Sequence, residues 1–141
     1  MQQRITETPH RLVPVDAAEA LRLLGSVALG RIVFTQRALP AIRPVNHIVR
    51  DGLIIIRTEI GTTISNATRS ADGIVVAYEA DDLDPEQRTG WSVVATGVAR
   101  QVGEPARIEE YAAVLHPWIE RTPDRFIAVD PQIITGFRLE E

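Results

Sequence analysis

The chain contains no cysteine. That excludes disulfides, thiolate nucleophiles, iron–sulfur ligation by this chain and cysteine-based zinc sites. Long apolar runs are missing too: no stretch approaches membrane-spanning length, and the N-terminal MQQRITETPHRLVPVD lacks the apolar core of about 7 to 15 residues that a signal peptide requires. A cytoplasmic protein is the expectation. Positive charge is also scarce, since a formal net charge of −4 and a pI near 5.4 disfavour a general nucleic-acid binder. The three histidines, His10, His47 and His116, share no metal-ligand spacing, so no metal site is expected. A serine in a strand-to-helix elbow and a GxG-type dinucleotide fingerprint are both absent, which argues against a hydrolase nucleophile and a Rossmann domain.

What is present is ordinary for one globular domain spanning residues 1–141, with 45% hydrophobic residues and residues 1–14 as a polar N-terminal arm. Asp16-Ala17-Ala18-Glu19 is a capping-box pattern, with the helix continuing to Gly25. GRIVFT at 30–35 reads as the first strand, and Arg37 to Pro40 as a turn. A weak helix is expected from Thr62 to Ser70, then a strand from Ile74 to Glu79 and an acidic loop from Glu79 to Glu86. GWSVVATGVARQV at 90–102 predicts a long strand bulged or bent at Gly97, and Pro105 to Leu115 a further helix. Two strands split at Asp130-Pro131 are expected in the last segment. Strands dominate, so the predicted fold is mainly β: a small antiparallel barrel with two or three flanking helices.

The most informative stretch is Pro40 to Ile64. Asp51-Gly52 favours a type I′ turn between β-branched runs. Pairing Arg50 with Leu53 places Val49 opposite Ile54, Ile48 opposite Ile55 and His47 opposite Ile56, then Asn46 opposite Arg57 and Val45 opposite Thr58. Near the turn both faces are apolar, which predicts cover on both: the barrel interior on one side and, on the other, a second subunit. In this register His47 is expected to be a packed, hydrogen-bonded imidazole. Five arginines (31, 37, 43, 50, 57) stand against the single acid Asp51 between positions 31 and 57, although the whole chain is acidic. Gly61-Thr62-Thr63 then leads into the short helix, where backbone N–H groups and hydroxyls suit a phosphate. Arg57 is therefore a candidate anion ligand, or else an ion-pair partner of Glu59 or Glu79.

GRIVFT, RPVNHIV, DG, LIIIRTEIGTTI and GWSVVATGVA together resemble the pyridoxamine 5′-phosphate oxidase-like split β-barrels that bind FMN, especially the nitroimidazole-resistance-type branch. The resemblance runs from about Asp16 to Val102. It implies a homodimer with FMN at the interface and a flavin-dependent oxidoreductase acting on a small molecule. Arg43, Pro44, Val45 and Asn46 would line the isoalloxazine ring. Arg57 and Thr58 would hold the phosphate, aided by Gly61, Thr62 and Thr63, while Trp91 and Ser92 would contact the flavin from the later strand. Many relatives carry Lys or Arg where Thr62 or Thr63 stands here, which leaves room for a deazaflavin coenzyme, or for a non-catalytic binding protein. No residue is assigned as a catalytic acid or base.

Overall fold

The computed structural model describes residues 10–59, 63–118 and 124–141. Seven antiparallel strands and three helices follow the order β1 (Arg11–Val15), α1 (Ala17–Gly25), β2 (Leu29–Gln36), β3 (Leu39–Arg50), β4 (Leu53–Glu59), α2 (Thr63–Ala67), β5 (Ile74–Asp84), β6 (Thr89–Gln101), α3 (Pro105–Val114) and β7 (Asp124–Glu140). The sheet runs β1-β7-β4-β3-β2-β5-β6, and a further β6–β7 pairing closes it into a barrel. The split comes from β7. Its first half, from Asp124 to Val129, pairs with β4, and its second half, from Gly136 to Glu140, pairs with β1 on that same edge. The expected mainly β barrel with flanking helices is what forms.

The local signals hold. Asp16 caps α1 by accepting a hydrogen bond from the Glu19 backbone N–H at 2.8 Å. Asp51 and Gly52 both have positive φ, 51° and 76°, as a type I′ turn requires. The β3–β4 register is Arg50↔Leu53, Val49↔Ile54, Ile48↔Ile55 and His47↔Ile56. The β6–β7 ladder slips between Thr96 and Gly97. There a Cβ on Gly97 would lie 1.9 Å from the Asp130 carbonyl oxygen, so only glycine lets the two backbones meet.

Four expectations are corrected by pairing between distant segments. The end of the arm is structured, because Arg11–Val15 is an edge strand on β7. The acidic stretch Glu79–Asp84 is strand rather than loop: paired with β6, it turns Ala80 inward and Glu79 and Asp81 outward. The last segment is one 17-residue strand, with Pro131 paired to Gly97 and Gln132 bulged out of the ladder. The hairpin's second apolar face is covered by the chain itself. Ile54, Ile56 and Val49 join the barrel interior, whereas Ile55 and Ile48 pack against Tyr111, Leu115 and Phe126, beneath α3. Ile55 is fully buried within the single chain, so two-sided burial of the hairpin is no argument for a second subunit.

Candidate functional site

The hairpin ladder stops after His47↔Ile56. Beyond it Asn46 pairs with Leu29 of β2 and Arg57 pairs with Phe126 of β7. The predicted partners Asn46 and Arg57, and Val45 and Thr58, are thus drawn apart: β3 passes to β2, while β4 keeps the β7 ladder it already holds from Ile54. A cavity of about 450 Å³ fills the wedge between the diverging strands.

Its two strand walls differ in chemistry. From β3 come Arg43, Pro44, Val45 and Asn46, with Leu29 of β2 beside them. From β4 come Arg57, Thr58 and Glu59, with Asp124 alongside on β7. The segment after α3 adds Pro117 and Trp118. Formal charges of Arg43 and Arg57 are balanced by Glu59 and Asp124, so the cavity is close to neutral.

Arg57 is the best-held side chain of the site. Its Nε donates to Asp124 Oδ2 at 2.5 Å, its Nη1 donates to the Leu115 carbonyl at 2.7 Å, and its Cζ lies 4.8 Å from the Phe126 ring centroid. The expected ion-pair candidates, Glu59 and Glu79, are replaced by Asp124, which the cross-strand pair Glu59↔Asp124 brings into reach. With Arg57 and Asp124 side chains only 17% and 18% exposed, this pair is shielded enough to fix the guanidinium plane rather than merely decorate the surface. On the opposite wall Asn46 Nδ2 donates to the His116 carbonyl at 3.0 Å.

Of the residues expected to form a site, Arg43, Pro44, Val45, Asn46, Arg57 and Thr58 are brought together around this cavity. Thr63 is half-buried at the start of the five-residue α2. Gly61 and Thr62 lie outside the described residues. Trp91 and Ser92 stand elsewhere: Trp91 points into the barrel core, 7% exposed, and Ser92 faces outward opposite Asp81 and Phe137. The wall residues missed from sequence are Leu29, Glu59, Pro117, Trp118 and Asp124. Only the cross-strand pair Leu29↔Asn46 and the pair Glu59↔Asp124 would have signalled two of them, and both depend on strands distant in sequence.

Behind the β3 wall, His47 is 3% exposed and forms a closed polar unit with Tyr78. Its Nε2 faces the Leu24 carbonyl at 2.7 Å and must carry the proton, so Nδ1 accepts from the Tyr78 hydroxyl at 2.5 Å. The rings meet edge to face, 5.0 Å between centroids. Burial holds the imidazole below its ordinary pKa and pushes the phenol up, so both are neutral around pH 7. As expected, His47 is packed and hydrogen-bonded, and its function is to brace β3 against α1.

A second titratable group lies on the barrel's outer face. Arg31 Nη1 reaches Glu79 at 3.2 Å and Asp81 at 3.8 Å. Partial burial and then the neighbouring Asp81 carboxyl push Glu79 up to about 7, against the opposing pull of Arg31. Among the described residues no group of three or more His, Asp or Glu side chains could hold a metal ion, and no helix is long and apolar enough to cross a membrane.

Three relatives frame this geometry. The uncharacterized protein Rv0080 of Mycobacterium tuberculosis is 53% identical over 135 residues, covering 94% of this chain and 89% of its own length. The structure of the FAD-binding protein from Mycobacterium smegmatis is 38% identical, superposes with a TM-score of 0.75, and covers 92% of this chain and 99% of that one. A provisionally assigned pyridoxamine 5′-phosphate oxidase of Corynebacterium glutamicum is 30% identical, with a TM-score of 0.76 over 96% of this chain and 97% of that one. The family model for pyridoxamine 5′-phosphate oxidase matches residues 16–138, from the α1 cap to Arg138 of β7. By that match and those identities, the chain belongs to the pyridoxamine 5′-phosphate oxidase family.

Proposed function

We propose that the chain is a flavoprotein that seats the flavin mononucleotide portion of its cofactor in the wedge between β3 and β4. The observation that carries this reading is the pairing of unlike walls: on the β3 side Pro44 and Val45 offer apolar surface between Arg43 and Asn46, and on the β4 side the guanidinium of Arg57 is locked in place by Asp124 and the Leu115 carbonyl. A planar ring system suits the first wall and a phosphate the second. The donor set therefore fits FMN, and it fits equally the FMN half of FAD, the cofactor in the description of the Mycobacterium smegmatis relative.

A bound flavin would supply hydride transfer, which supports the reading of a flavin-dependent oxidoreductase acting on a small molecule. The chain's own residues have narrower tasks. Arg57, with Thr58 beside it, binds the phosphate and is oriented for it by Asp124 and the Leu115 carbonyl. Arg43 adds a second positive charge, and Asn46 fixes the opposite rim. Pro44, Val45 and Leu29 exclude water from the ring.

The cavity sits at the border of an exposed apolar face, and this supports a homodimer with the cofactor at its interface. Across that face Ile42, Val33, Ala77, Thr96 and Ile133 stand in register on five successive strands, with Pro44, Arg31, Glu79, Val94 and Thr135 in the adjoining row. Ile42, Val75 and Ile133 are each more than 60% exposed, a cost that a partner surface would relieve. Pro44 belongs to both the face and the cavity, so a second copy on this face would wall the site.

The test is titration of the purified protein with FMN, FAD and a deazaflavin coenzyme, followed by absorbance, with light scattering for mass. Tight binding of FMN or FAD to a dimer, weakened about 100-fold or more in Arg57→Ala, is expected. Preference for the deazaflavin would transfer the same site to a deazaflavin-dependent reductase. Retention of flavin without turnover of any reduced cofactor would make the chain a carrier, and binding of none of the three would remove the flavoprotein reading.

A further inference from the structure

The segment leaving α3 is strapped across the cavity by side chains from both diverging strands. Arg57 Nη1 holds the Leu115 carbonyl at 2.7 Å and Asn46 Nδ2 holds the His116 carbonyl at 3.0 Å, while the Leu115 side chain is sunk in the second core at 3% exposure. Three anchors in two consecutive residues leave the next two, Pro117 and Trp118, with little freedom of placement. Both stand on the cavity wall.

Trp118 is nevertheless 67% exposed. Exposing an indole forfeits more apolar burial than exposing any other side chain, and here the chain spends two side-chain hydrogen bonds on holding the preceding backbone at the cavity. Its counterpart, Trp91, is 7% exposed inside the barrel and shows where a tryptophan goes when the core needs one. Trp118 contributes nothing comparable to the core. Its open face is toward the cavity and solvent, and a planar ligand is the class of partner that uses a flat, rigid, exposed aromatic wall.

We propose that Trp118 is the stacking wall of the cofactor site, lying against the planar heteroaromatic rings of the bound cofactor, with Asn46 and Arg57 acting as positioning residues for the strap that presents it. This rests on the flavoprotein reading above and adds to it an aromatic stacking contact, which the hairpin's cavity residues, none of them aromatic, do not supply. Arg57 then has two separable effects, one on the phosphate through its charge and one on the ring through the strap. Stacking is indifferent to the phosphate, so Trp118 acts on riboflavin, FMN and FAD alike.

The experiment titrates the wild-type chain, Trp118→Ala and Trp118→Phe with riboflavin, FMN and FAD, reading affinity from flavin absorbance and, separately, tryptophan emission. Wild-type emission should fall by the share that the exposed indole contributes, saturating with one flavin per site. Trp118→Ala should lose that quench and bind all three flavins roughly 10-fold or more weakly, with the melting temperature unchanged because the side chain is mostly in solvent. Trp118→Phe should recover most of the affinity without the emission signal. Wild-type affinity in Trp118→Ala overturns the stacking role and leaves the flavoprotein reading intact. Loss confined to FMN and FAD, with riboflavin unchanged, would likewise overturn it by reassigning Trp118 to the phosphate. If the wild-type chain binds no flavin, both readings fall together.

Discussion

The two halves of the β3–β4 hairpin follow the same backbone and end in opposite roles. Near the turn, residues 47–56 keep their ladder, bury isoleucines on both faces and join the two cores. From the next pair, Asn46 and Arg57, outward the strands separate and the gap becomes a cavity. The difference lies less in side-chain preference than in who the ladder partner is: β4 stays paired with β7 from Ile54 to Glu59, whereas β3 leaves β4 after His47 and pairs with β2 from Asn46 outward. A barrel with a change of partner at that position makes a cavity without needing a loop. The tight half acts as the hinge pin that sets the angle of the open half.

That contrast can be broken most severely from the tight side. Ile56→Ala removes a fully buried side chain between the barrel interior and His47 and should cost about 2–5 kcal/mol of stability in denaturant unfolding, while the folded fraction keeps its flavin affinity. Loss of binding at full folding would show that the two halves are not separable. Tyr78→Phe takes away the donor to His47 Nδ1 and leaves a buried acceptor unmet, a loss of about 1–2 kcal/mol by thermal or denaturant unfolding with a smaller effect on binding. Asp124→Asn, on the open side, keeps an acceptor for Arg57 Nε but removes a negative charge from the β4 wall. FMN should then bind about 5-fold more tightly, riboflavin should be unaffected, and a calorimetric comparison of the two ligands reads the difference.

The smallest expected effect is on pH dependence. Glu79 is raised to about 7 in the folded chain, so between its ordinary value and pH 7 the native state holds more protons than the unfolded one, and stability falls as pH rises through that window. His47 works in the other direction: its folded pKa is depressed, so its contribution is present above the ordinary histidine value and is lost as pH falls. Subtracting the melting-temperature profile of Glu79→Gln from that of the wild type isolates the first slope. A flat difference between pH 5 and 8 would contradict the raised carboxyl.

Much of the tight half was legible in sequence because its information is local. Asp51-Gly52 fixes the turn, the turn fixes the register, and alternation assigns the faces; Asp16 and Gly97 work in the same short-range way. The cavity was legible only on its hairpin walls. Asp124, Pro117 and Trp118 arrive from more than fifty residues away, the first carried by the pairing of β4 with β7 and the other two by the hold of Arg57 and Asn46 on the Leu115 and His116 carbonyls, and nothing in their own neighbourhood announces it. The acidic stretch Glu79–Asp84 shows the same limit from composition: its charges suggest a solvated loop, yet the β6 ladder accepts them because every second residue faces outward. The cover over Ile55 was misplaced onto a partner subunit because α3's seat on the hairpin is likewise a long-range fact.

The long strand β7 has a consequence for how the protein comes into being. It alone borders β1, β4 and β6, so until residues 124–140 have left the ribosome three strand edges have no neighbour and the barrel cannot close. Closure must also join Arg11 to Glu140, a span that makes productive collapse slow compared with hairpin formation. The nascent chain therefore passes through a stage in which sticky edges outnumber satisfied ones, and its yield in the cell should depend on chaperone capacity more steeply than the stability of the finished barrel would suggest.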